Sequence, residues 1–167
     1  LAEARALALR QIEGSCLNAL GVLAGMQNDD VGALRLDQQS LVAYRAAGDR
    51  RNEAIAHGNI GAGWTGLGEL TLARRELEEG VRLMRANGDR ALEVIPLCAL
   101  STLALWEGDD AHALVQARAA LETAVAVGAR DQEAAALCRV GDAELALGRH
   151  AAAAQAFASA LARATEI

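Results

Sequence analysis

A step of forty residues runs through this chain and restricts its fold more than any other feature. Gly48-Asp49-Arg50 returns as Gly88-Asp89-Arg90 and, altered at its centre, as Gly128-Ala129-Arg130. Other columns keep the same step. Leu20, Ile60, Leu100 and Val140 align, and are followed by Gly21, Gly61, Ser101 and Gly141. Asn28, Gly68, Gly108 and Gly148 form another column, as do Ala33, Ala73, Ala113 and Ala153. Asp37, Leu77, Ala117 and Phe157 align next, then Leu41, Val81, Leu121 and Leu161. A unit this short cannot bury its apolar face alone, so the units must stack on one another.

Each unit reads as two helices. In the second unit the apolar spacing predicts helix A from about Arg51 to Gly66 and helix B from about Thr71 to Ala86. Leu67-Gly68-Glu69 is the turn between them, where glycine supplies a positive φ, and Asn28 substitutes in the first unit. Gly48-Asp49 and Gly88-Asp89 close one helix B and open the next unit, glycine ending the helix and aspartate accepting an amide hydrogen bond. Ala129 lacks that cap, so its corner is expected to be weaker. Asp29-Asp30 and Asp109-Asp110 are expected to cap helix B.

Glycine inside a helix costs about 1 kcal/mol relative to alanine. Its recurrence at Gly21, Gly61 and Gly141 therefore predicts close approach of another helix, with the alanine column from Ala33 to Ala153 as the complementary surface. Leu20, Ile60, Leu100, Leu41, Val81, Leu121 and Leu161 are expected to fill the space between units. Pro96 falls early in its helix A, where a missing amide donor is tolerated and a slight bend is expected.

Composition supports an all-α fold. Of the 167 residues, 53% are hydrophobic but only 2% aromatic, and a single proline interrupts helix formation. The formal charge of −6 argues against a broad nucleic-acid surface. Every basic residue is arginine, which fits a GC-rich bacterial coding bias. Cys16, Cys98 and Cys138 cannot all pair within one chain and lack metal-finger spacing, so they read as small buried hydrophobes in a reducing, cytoplasmic compartment. The sequence shows neither a membrane span nor a signal peptide, and its first residues already read as helix, which suggests a piece of something longer.

The pattern resembles the tetratricopeptide repeat (TPR). Ile60-Gly61 and Val140-Gly141, Trp64, the turn Gly68 and the small Ala73 carry the resemblance, together with Phe157 and Ala160 and their equivalents Leu77 and Gly80. Ser101 departs from the glycine column, and Ala104 and Glu144 from the aromatic column of Trp64. The forty-residue variant is similar to arrays in scaffold proteins and in large bacterial transcriptional regulators. The resemblance implies a right-handed alpha-alpha superhelix, a TPR solenoid of about four helix-turn-helix repeats. It covers residues 1–167 as one repeat domain. Residues 1–10 are the end of a preceding repeat, with Leu9-Arg10-Gln11 at the junction, followed by repeats at 11–50, 51–90, 91–130 and 131–167.

In that family the A helices line a concave, partner-binding face. Helical phase carries this face onto Ser15, Asn18, Val22 and Met26 in the first unit and Ile55, Asn59, Ala62 and Thr65 in the second. In the third it falls on Ile95, Cys98, Thr102 and Trp106, and in the fourth on Ala135, Cys138, Arg139 and Asp142. Asn18 and Asn59 are the strongest polar candidates, because a carboxamide can both donate to and accept from a peptide backbone. Arg139 could meet an acidic group, or pair with Asp142 or Glu144. Trp106 could anchor a partner at the groove edge, whereas Trp64 belongs to the packed column.

Catalytic and cofactor patterns are missing from the sequence. His57, His112 and His150 are scattered and read as surface or packing residues. The aspartate pairs are not followed by alternating calcium ligands, and the glycines do not form a phosphate loop. Arg74, Arg75, Glu76, Glu78 and Glu79 read as a solvated helix face, with Glu78 and Arg82 as a possible pair. The expectation is a non-enzymatic protein- or peptide-binding module without cofactor, metal, membrane or direct nucleic-acid contact. Its partner is a protein or peptide segment, its own parent chain or a second copy. The alternatives are a small-ligand or signalling-peptide sensor and a structural spacer or self-association module.

Overall fold

The computed structural model describes residues 2–165. They form α1 (Ala2–Met26), α2 (Asp30–Ala47), α3 (Arg50–Gly66), α4 (Leu70–Asn87), α5 (Val94–Trp106), α6 (Asp110–Val127), α7 (Arg130–Ala146) and α8 (His150–Thr165). A single 3₁₀ turn, Arg90–Leu92, precedes α5. No strand occurs among the described residues. The helices form two compact units, residues 1–88 and 89–167. In the first, α1 packs on α2, α2 on α3, and α3 on α4. In the second, α5 packs on α6, α6 on α7, α7 on α8, and α5 also meets α7. These antiparallel neighbours have the arrangement of a helical-repeat protein.

The turns follow from their residues. Six glycines at Gly48, Gly68, Gly88, Gly108, Gly128 and Gly148 have φ from 69° to 78°, and Asn28 stands at 60°. At Gly68, the following amide of Glu69 returns to the Trp64 carbonyl at 3.0 Å, the closing bond of a Schellman cap. Asp29, Asp49 and Asp109 accept from the amides of Gly32, Asn52 and His112 at the starts of α2, α3 and α6. Ala129 and Asp89 make no such bond.

Two local differences from the sequence reading have plain causes. No junction forms at Leu9-Arg10-Gln11, because α1 runs unbroken for 25 residues. Ala8 stands where Gly48, Gly88 and Gly128 turn the chain, and a Cβ makes the left-handed conformation costly by about 1–2 kcal/mol. Pro96 lies in the first turn of α5. It lacks an amide donor and its ring opposes the carbonyl four residues back, so the preceding segment closes as a 3₁₀ turn instead of α-helix.

The glycine column is a packing column. A Cβ at Gly61 would lie 2.6 Å from Leu77 Cγ and 3.3 Å from the Ala73 carbonyl oxygen, and one at Gly141 would lie 2.5 Å from the Phe157 ring. At Gly21 the opposing atom is Asp37 Oδ1, also at 2.5 Å. Where Ser101 replaces glycine, its hydroxyl donates to the Ala113 carbonyl at 2.9 Å, and the residue of the opposing column is the small Ala117. The space over the glycines is thus filled by the column from Asp37 to Phe157, four residues beyond the alanine column expected there.

In the first unit Leu34, Leu41, Tyr44, Ala56 and Ile60 form a buried cluster with Trp64 half-buried against it. In the second, Ala104, Ala113, Leu114 and Ala143 do so with Leu105, Val140 and Leu147. The expected inter-unit packing is uneven. Ile60, Leu100, Leu41 and Val81 are buried, but Leu20 and Leu161 are 51% and 67% exposed. Burial at these positions needs a facing helix, and none of the described helices covers the outer sides of α1 and α8. The cysteines are free, but their burial differs from expectation: Cys16 is exposed, and Cys98 and Cys138 are half-buried.

Candidate functional site

Bringing α1 beside α3 places two carboxamides in contact. Asn59 Nδ2 donates to Asn18 Oδ1 at 2.7 Å, and both side chains are half-buried. Asn59 also lines a cavity of about 220 Å³ between α1, α2 and α3. Gly21, Gly25 and Gly63 leave room in its walls, and α2 contributes Asp30 and Asp37. Asp37 is only 4% exposed. Its Oδ1 meets no hydrogen-bond donor of the protein. Burial pushes its carboxyl up to about 6, against the opposing effect of a hydrogen bond from Asn59.

Of the remaining candidates of the first unit, Val22 and Ala62 line the same cavity. Val22 and Met26 are exposed, Met26 at 76%, while Ser15 and Ala62 are exposed and Ile55 half-buried. The Thr65 hydroxyl donates back to the Gly61 carbonyl at 2.8 Å within its own helix. In the second unit, α5 and α7 bring another group together. Arg139 pairs with Asp142 at 3.2 Å and approaches the Thr102 hydroxyl at 3.5 Å. Thr102 in turn donates to the Cys98 carbonyl at 3.2 Å. Burial pushes the Cys98 thiol up to about 11, which keeps it protonated and unreactive. Ile95 and Ala135 are exposed, and Cys138 is half-buried. Trp106 ends α5 and is 59% exposed.

A second polar assembly lies in the first unit and places His57, read as a surface or packing residue, among buried polar partners. His57 is buried, with Nδ1 2.7 Å from Glu76 Oε2 and Nε2 3.1 Å from an Arg45 Nη2. Arginine can only donate, so Nε2 accepts and the ring proton sits on Nδ1, donating to Glu76. Arg45 also pairs with buried Glu53 at 2.9 Å. Glu76 is therefore not part of a solvated face, and Arg82 pairs with Glu79 at 2.6 Å instead of Glu78. Glu144 bonds Arg118 at 2.8 Å and Arg149 at 3.2 Å, not Arg139.

Sequence reasoning missed Asp37, His57 and Glu144, yet a signal was present. Each is the polar exception in a column: Asp37 beside Leu77, Ala117 and Phe157, His57 beside Leu17, Leu97 and Leu137, and Glu144 beside Ala24, Trp64 and Ala104. Among the described residues, no three His, Cys, Asp or Glu side chains converge as metal ligands, and no helix is long and apolar enough to cross a membrane.

These features define an all-helical protein of the helical-repeat or helical-bundle kind. The structure is similar to that of aspartyl phosphate phosphatase F from Bacillus subtilis, with a TM-score of 0.87 at 10% identity, over 94% of this chain and 41% of that one. It is also similar to BtubC (BKLC) from P. vanneervenii, with a TM-score of 0.80 at 16% identity, over 92% of this chain and 63% of the other. MamA protein aligns with a TM-score of 0.53 at 16% identity, over 90% and 91% of the two chains. At these identities the likeness is one of fold. The chain spans less than half the length of the phosphatase and under two thirds of BtubC. No protein-family model matches the sequence, and no curated protein matches it.

Proposed function

We propose that this chain is a non-catalytic TPR-type module that binds a protein or peptide segment along its A helices, with Asn18 and Asn59 at the centre of recognition. The observation that carries this reading is the carboxamide pair across α1 and α3. One hydrogen bond joins them at 2.7 Å. That bond leaves the Asn18 amide as donor and the Asn59 carbonyl as acceptor, the two complements of a peptide unit. Exposed Val22 and Met26 on the same helix as Asn18 offer apolar contact beside it, and methionine adapts its shape to varied partners. The buried titratable groups support binding over catalysis, since Glu53, Glu76 and Glu144 are held in ion pairs and His57 is hydrogen-bonded between Glu76 and Arg45.

The module works within a larger cytoplasmic regulatory protein of a bacterium, a role that rests on the resemblance of its forty-residue repeats. The cavity beside Asn59 favours a second reading, the sensing of a small ligand. Selection from a random-peptide display library tests the first. Peptides that bind the full chain should lose at least tenfold in affinity to the helical, folded Asn18→Ala, Asn59→Ala variant. Equal affinity for both proteins would remove the carboxamides from recognition and sink the proposal.

A further inference from the structure

The buried acids of this protein differ in one respect. Glu53 meets Arg45 at 2.9 Å and Arg50 at 3.2 Å. Glu76 meets Arg75 at 2.9 Å besides His57, Glu133 meets Arg163 at 2.8 Å, and Glu144 meets Arg118 and Arg149. Each is largely buried and each has an arginine of the chain against it. Asp37 is as deeply buried, at 4% exposure, and has none. The cavity it lines contains no basic side chain. Asp30, seven residues earlier on the same helix and so about 10 Å away along its axis, gives that cavity a second acid.

The fold does not require an acid there. Leu77 and Phe157 occupy the equivalent positions and pack over Gly61 and Gly141 as Asp37 does over Gly21. A buried carboxylate without a counter-ion is costly, and apolar residues of similar size do as well or better at such sites. The structure thus carries an unfavourable charge where its own repeat supplies a favourable alternative. We propose that the cavity between α1, α2 and α3 receives a lysine or arginine side chain of the bound peptide, with Asp37 as its counter-ion. This rests on the peptide-binding reading and names the side chain that reading lacks. The volume suits one side chain: 220 Å³ falls below the roughly 300–1,000 Å³ of pockets that enclose drug-sized ligands. Asn59 lines the cavity with Asp37 and donates to Asn18, so the basic side chain would enter beside the carboxamides that hold the peptide backbone.

The test uses the full chain, labelled with ¹⁵N, and side-chain mimics as probes: n-butylammonium, N-ethylguanidinium and neutral n-butanol. Addition of a cation should shift the amide signals of Gly21, Gly25 and Gly63 saturably, with n-butanol at least tenfold weaker. Asp37→Asn should abolish the cation preference, and Asp37→Leu, which copies Leu77, should abolish binding while keeping the helical fold. Equal binding of n-butanol, unchanged cation binding by Asp37→Asn, or no saturable shift would each overturn the proposal. Failure of the peptide selection with cations still bound would sink the peptide reading alone. Captured peptides that keep full affinity when their lysines and arginines become norleucine would sink this inference alone.

Discussion

Replacing Asp37 by asparagine should stabilise the unit of residues 1–88 at pH 8 and leave it nearly unchanged at pH 3. Burial raises the carboxyl from 3.8 to about 6 in the folded protein. Between those values the folded chain binds more protons than the unfolded chain, so stability falls as pH rises. The favourable contribution of the protonated group is complete below 3.8 and lost above about 6. A displacement of roughly two pH units, at 1.36 kcal/mol each, amounts to about 3 kcal/mol. Asparagine keeps the shape and cannot ionise, so it escapes that loss. Urea unfolding from pH 3 to 8 measures the effect, in a Trp106→Phe background where Trp64 reports the core of this unit. Acid weakens the other ion pairs equally in both proteins, so the difference isolates Asp37. The expected gain for the variant rises from near zero to about 2–3 kcal/mol, most of it between pH 4 and 6. A variant less stable at pH 8, or a gap independent of pH, would refute the reasoning.

Two further perturbations separate helix propensity from packing and test a cap. Gly58→Ala and Gly61→Ala, three residues apart on α3, should act in opposite directions in thermal unfolding. A Cβ at Gly58 meets nothing within 4 Å and should gain about 0.5–1 kcal/mol. At Gly61 it collides with fully buried Leu77 and the Ala73 backbone, and overpacking of this kind costs about 1–3 kcal/mol; stabilisation by both alanines would contradict this packing. Ala129→Asp should supply the α7 cap that Asp49 gives α3, adding about 1 kcal/mol to stability by urea unfolding. No gain, or a loss, would mean that the corner does not accept the cap geometry.

The forty-residue step determined the all-helical fold, the pairing of A and B helices and the places of the turns. Those properties are local. Helical phase follows from the spacing of apolar residues, and a left-handed turn follows from glycine or from Asn28, so neighbouring residues suffice to specify them. Even the unbroken α1 was legible in principle, since Ala8 stands where a turn needs glycine. The candidate carboxamides were legible by phase, but their contact was not. Only tertiary structure set Asn18 against Asn59, His57 between Glu76 and Arg45, and Asp37 into a cavity without a cation. The same is true of Leu20 and Leu161, which share columns with buried residues yet remain exposed. Repetition specifies which way a side chain points from its own helix. Its burial and its electrostatic partner depend on the helix opposite, where a glycine can make room for leucine, phenylalanine or an unpaired acid.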